Sequence, residues 1–70
     1  MFSKAESITM KLDGVHDAAT RKAAALAIRG IDGVRSVTMK NDAANVSFYP
    51  SKTTVSALTN ALELAGFSVI

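Results

Sequence analysis

Three residues able to do chemistry stand together near the start of the chain. They are His16, Asp17 and Thr20, within Gly14-Val15-His16-Asp17-Ala18-Ala19-Thr20. An imidazole beside a carboxylate is a donor pair for zinc or another borderline divalent metal. Two ligands are too few to hold such an ion. With no second histidine in the chain, a third ligand has to come from another molecule or from water. Met10 points inward on the strand it occupies and is no thioether ligand. The simpler reading of Asp17 is a helix N-cap. Its carboxylate accepts from the free amide of Ala19 or Thr20, and its charge suits the positive end of a helix. The cap is favoured because it requires nothing outside the loop.

Catalysis finds no comparable support. There is one histidine and no cysteine. No His-Ser-Asp set is in view, and Asp13, Asp17 and Asp32 fall at turns and helix ends, where carboxylates commonly cap. An acid–base pair needs a pocket that excludes water, which so short a chain rarely builds. The chain reads as a non-enzyme.

The elements that must position the loop follow from periodicity. Ser7 to Leu12 alternates polar and apolar, as a half-buried strand does, with Ile8, Met10 and Leu12 inward. Asp13-Gly14 is a turn. From about Asp17 to Arg29 the chain is rich in alanine, and Ala24, Ala27, Ile28 and Ile31 share one helical face. Gly30 marks the helix end and Asp32-Gly33 a second turn. Val34 to Lys40 alternates again, with Val37 and Met39 inward. Asn41-Asp42-Ala43 is a tight hairpin connection. Ala44 to Tyr49 is a third strand with Ala44, Val46 and Phe48 inward, stopped by Pro50. Thr53 or Thr54 caps a second helix with an apolar stripe of Val55, Leu58, Ala61, Leu62 and Ala65. Gly66 ends it, and Phe67 to Ile70 is a short last strand.

The order is β-α-β-β-α-β. It predicts an α+β, ferredoxin-like fold: a four-stranded antiparallel sheet with both helices on one face. Thr9, Lys11, Thr38, Lys40, Asn45, Ser47 and Tyr49 form the other, wet face. The two halves share this pattern without a residue-level repeat.

Composition sets the limits. Seventy residues make one domain, residues 1–70, with a modest core. The absence of cysteine excludes disulfides and every thiolate metal site. The net charge of +2 neither demands nucleic acid nor forbids it. Met1-Phe2-Ser3-Lys4-Ala5-Glu6 lacks the apolar core of a signal peptide, and no apolar run approaches the roughly 20 residues that span a bilayer. A cytoplasmic location without membrane insertion is expected. The initiating Met1 points to a complete chain.

The stretch Ile8-Thr9-Met10-Lys11-Leu12-Asp13-Gly14-Val15, then Ile31-Asp32-Gly33-Val34-Arg35-Ser36-Val37, then Ala61-Leu62-Glu63-Leu64-Ala65-Gly66-Phe67 resembles the heavy-metal-associated domain family. That family comprises small copper, zinc, cadmium and mercury carriers and the cytosolic modules of metal-pumping ATPases. The resemblance runs from about Glu6 to the C-terminus. It implies a copper-chaperone-like fold and a metal-transport setting. The family's functional motif is Gly-Met-x-Cys-x-x-Cys. Here Gly14 matches, Asp17 stands at the first cysteine and Thr20 at the second. The resemblance therefore implies a domain that has lost its thiolate site, leaving degenerate or non-thiolate metal binding.

The alternative is a protein-interaction or regulatory module. Leu26 lies about 200° around its helix from the inward Ala24, and Leu64 is off the stripe of the second helix. With Arg21, Lys22 and Arg29 they read as a docking or self-association patch. The resemblance implies a metal-transporting ATPase as one partner. Nucleic acid is the weakest reading. Base stacking on an open sheet needs aromatics, and only Tyr49 faces that side. Phe48 points inward and Phe2 lies outside the sheet.

Overall fold

The computed structural model describes residues 4–70, so Phe2 lies outside the described residues. The elements are β1 (Glu6–Asp13), α1 (Ala18–Arg29), β2 (Val34–Lys40), β3 (Ala43–Phe48), α2 (Val55–Leu64) and β4 (Ser68–Val69). One four-stranded sheet has the order β2-β3-β1-β4. Every neighbouring pair is antiparallel. This is the ferredoxin-like arrangement that the element order predicts.

Period-two alternation decides which face is dry. Met10, Leu12, Ala44, Val46 and Phe48 are buried with Ala24 and Ile28 of α1, Leu58 and Leu62 of α2, and Phe67. Both helices therefore cover the same face of the sheet. Burial of this apolar set is the main term holding so small a chain together.

Register exposes a repeat that comparison of the two halves does not. Ser7-Ile8-Thr9-Met10-Lys11 and Ser36-Val37-Thr38-Met39-Lys40 flank β3 in step. Ser7 and Ser36 both pair with Ser47, Thr9 and Thr38 with Asn45, Met10 and Met39 with Ala44, and Lys11 and Lys40 with Ala43. The two strands pack against opposite sides of one strand and so meet the same constraints. Ile8 and Val37 border Val46, and two methionines straddle one alanine.

Several boundaries differ from expectation. The hairpin turn is Asn41-Asp42, because Ala43 already pairs with Lys40. Asn41 takes the left-handed backbone, φ 55°, that asparagine tolerates better than most residues. Ser47, expected on the wet face, is buried, its short side chain lying on a central strand between its register partners Ser7 and Ser36. Tyr49 lies past the end of β3, is half-buried, and donates its amide to the Gly33 carbonyl at 2.8 Å. Val55 and Ala65, expected on the α2 stripe, are exposed, because they lie at the first helical position and the C-cap. Gly30 caps α1 with an ordinary φ of −74°. The left-handed glycine in that connection is Gly33, φ 102°.

Candidate functional site

Two devices position the loop from Gly14 to Thr20. Gly14 takes φ 99°, which turns the chain out of β1. A Cβ there would lie 3.5 Å from the Phe67 ring and 3.8 Å from the Gly66 carbonyl, so the α2–β4 corner packs beside the loop. Val15 is half-buried against the core. His16 and Asp17 are then left exposed at the start of α1.

Asp17 is the N-cap of α1, with extended backbone angles. Its Oδ1 accepts the Thr20 amide at 2.9 Å. The Thr20 hydroxyl donates to the same Oδ1 at 2.9 Å and lies 3.1 Å from the Asp17 carbonyl. Thr20 Oγ1 in turn accepts the amides of His16 at 2.8 Å and Asp17 at 3.0 Å. This is a reciprocal capping box, in which each side chain satisfies backbone donors near the other residue. The sequence expectation of an Asp17 cap is met with Thr20 as the partner. The sequence alone assigns Thr20 no acceptor role. Its signal was the Asp-x-x-Thr spacing, the familiar Ser/Thr-x-x-Glu box with the acid and the hydroxyl exchanged.

The Thr20 amide and then the Thr20 hydroxyl hold the Asp17 carboxyl below its ordinary range. They outweigh the small opposing effect of burial, and the nearby charges of His16 and Arg21 act in the same direction.

This donor set does not fit a thiolate-bound metal. There is no sulfur in the loop, and Asp17 Oδ1 already receives an N–H and an O–H. Among the described residues no three histidine, aspartate or glutamate side chains converge on one point. His16 and Asp17 are adjacent and exposed, and among the described residues no third histidine or carboxylate joins them.

The remaining residues singled out in the sequence lie on the helices. Lys22, Leu26, Arg29 and Leu64 are exposed and Arg21 is half-buried. Leu64 is 81 % and Leu26 54 % exposed. The antiparallel pairing of β1 with β3 makes α1 and α2 antiparallel too, which places Leu64 at the loop end of the molecule. Leu26 lies about 12 Å along α1 from Ala18, at 1.5 Å per residue.

With this geometry the chain matches solved structures closely. The CopZ metallochaperone superposes with a TM-score of 0.88 at 27 % identity, over 93 % of this chain and all of that one. Oxidized MerP from Ralstonia metallidurans CH34 gives 0.90 at 28 % identity, over 96 % of each chain. The N-terminal domain of PacS from Synechocystis PCC6803 gives 0.83 at 30 % identity, over 93 % of this chain and 94 % of that domain. The chain belongs to the heavy-metal-associated domain family. No family sequence profile and no curated protein sequence matches it, so the kinship is carried by the fold together with these alignments. As a heavy-metal-associated domain it has no cysteine. Among the described residues no helix is long and apolar enough to cross a membrane.

Proposed function

We propose that this heavy-metal-associated domain works by docking on another protein, in the cytoplasm, without carrying a thiolate-bound metal. The observation that supports it is the closed Asp17–Thr20 pair, which satisfies the loop's donors internally. The partner class is suggested by the company the fold keeps, a metallochaperone, a copper binding domain of one P-type ATPase and the water soluble region of another. The surface offered is the loop end, with Leu64 exposed beside it and Arg21 and Lys22 following on α1.

Metal titration tests the first half. Cu(I), under chelator competition, and Zn(II) are titrated into the wild type and His16→Ala. No binding tighter than the high-micromolar range is expected. A Kd at or below about 1 μM that His16→Ala abolishes would replace this reading with non-thiolate metal binding through His16 and Asp17. Titration with the soluble domains of a metal-transporting ATPase from the same cell tests the second half. A Kd near or below about 100 μM, weakened by Leu64→Lys, is expected for a transient interface. Absence of binding to any of them would overturn the partner class.

A further inference from the structure

Two thiols that take up one Cu(I) release two protons, and two thiolates with one monovalent cation leave a net charge of −1. The ion also ties the two side chains together. Without it, S–H groups are weak donors and weak acceptors, so an empty thiol pair has nothing comparable to close the loop. At the same two positions this chain carries one ionised carboxylate, also −1. The Thr20 hydroxyl ties the pair together at 2.9 Å. That oxygen further accepts the His16 and Asp17 amides at 2.8 and 3.0 Å, so closure reaches the whole turn.

We infer that the Asp17–Thr20 pair substitutes for a bound metal ion, holding the loop from His16 to Thr20 in the closed state that a thiolate loop reaches when loaded, with the same charge of −1. This rests on the docking reading for its use. A partner that reads closure and charge at this loop meets a chain that is permanently in the loaded form, so docking needs no metal.

Amide hydrogen exchange by NMR tests the substitution without a partner. It is measured on the wild type, Thr20→Val, Thr20→Ser, and the reduced double variant Asp17→Cys/Thr20→Cys with and without one equivalent of Cu(I). Protection factors at His16 and Asp17, each taken against the intrinsic rate of its own sequence, report local opening of the loop, and the core amides of Ile28 and Val46 report global stability separately. Wild-type and Thr20→Ser amides are expected to exchange about fivefold more slowly than those of Thr20→Val and the empty double variant. Cu(I) is expected to bring the double variant to wild-type protection and to leave the wild type unchanged. Equal protection in the empty double variant, wild-type exchange no slower than in Thr20→Val, loss of protection in Thr20→Ser, or failure of the double variant to take up Cu(I) would each overturn the inference. Tight metal binding by the wild type would instead overturn the docking reading and leave the exchange result standing.

Discussion

Asp17 Oδ1 accepts the Thr20 amide at 2.9 Å while Thr20 Oγ1 accepts the Asp17 amide at 3.0 Å, so each side chain closes the other residue's backbone donor. A helix start leaves its first N–H groups without intrahelical partners, and α1 begins on an exposed loop in a chain that has no disulfide to hold it. The box is therefore a stability device, and it stands at the two positions that the sequence resemblance aligns with the family's cysteines.

Thr20→Val tests that device with little change of shape. It removes an acceptor for two amides and a donor to Asp17. It should cost about 1 kcal/mol, which for a domain of this size lowers Tm by about 4–8 °C. Thr20→Ser keeps the hydroxyl and should lose about half of that or less. Thermal unfolding followed by circular dichroism separates the two. A larger loss in Thr20→Ser than in Thr20→Val would assign the effect to the threonine methyl, which valine keeps.

The Asp17 carboxyl gives a pH signature. Its folded-state value is depressed, so its contribution is fully present above the unfolded aspartate value of about 3.9. It is lost as pH falls through the lower folded value. Wild type should exceed Asp17→Asn in Tm by a constant margin from about pH 7 to pH 5, and the margin should shrink steadily below about pH 4. A margin that persists unchanged to about pH 2 would show that the charged form is not what stabilises the cap.

Most of the fold was legible because period-two and helical patterns report burial directly. Ile8, Met10 and Leu12 face inward as alternation requires, and Ala24 and Ile28 form the buried face of α1. The Asp17 cap was legible from residue type and place. Thr20 was not, because alignment with a metal loop presents it as a vacated ligand position, whereas its hydroxyl serves the backbone. The choice between Thr53 and Thr54 was also open in sequence. The structure assigns the cap to Thr54, which accepts the Ala57 amide at 3.1 Å, and buries Thr53. The Ser7–Lys11 and Ser36–Lys40 repeat was hidden because comparing halves sets strand 1 against strand 3. The repeat relates strand 1 to strand 2, and only pairing through β3 brings them into step.

Two glycines with the same backbone hand should respond differently to alanine. Gly33, φ 102°, has Lys52 Cβ only 2.7 Å from where its own Cβ would sit, whereas Gly66, φ 97°, has nothing within 4 Å. Gly66 completes a Schellman end to α2, with its amide on Glu63 and that of Phe67 on Leu62. Gly66→Ala should therefore cost only the conformational term, about 1 kcal/mol. Gly33→Ala adds a clash with backbone-proximal atoms and should cost about 2 kcal/mol or more. Urea unfolding of both variants checks the order, and an equal cost would remove the Lys52 contact as a constraint.

Leu62 and Leu64 lie two residues apart on α2 with opposite fates, one fully buried and the other 81 % exposed. Leu62→Ala should cost about 2–5 kcal/mol. Leu64→Lys should change stability by no more than about 0.5 kcal/mol. If Leu64 belongs to a surface shared between copies, sedimentation of the wild type at high concentration should show association that Leu64→Lys removes. Strictly monomeric behaviour in both would rule out self-association through Leu64.

The two methionines of the repeat make a last, sharper test of packing. Ala44 is fully buried between Met10 and Met39, its register partners on either side. The short side chain leaves room for two long ones, and interiors packed to crystal density do not absorb extra methyl groups freely. Ala44→Val should cost about 1–3 kcal/mol by overpacking. Met39 is only half-buried on the edge strand, so Met39→Ala alone should be mild, and combined with Ala44→Val it should recover part of the loss. A favourable coupling of about 0.5 kcal/mol or more in the double-mutant cycle is expected, as for residues in direct contact. Strict additivity would mean that Ala44 is small for its own strand rather than for the methionines beside it.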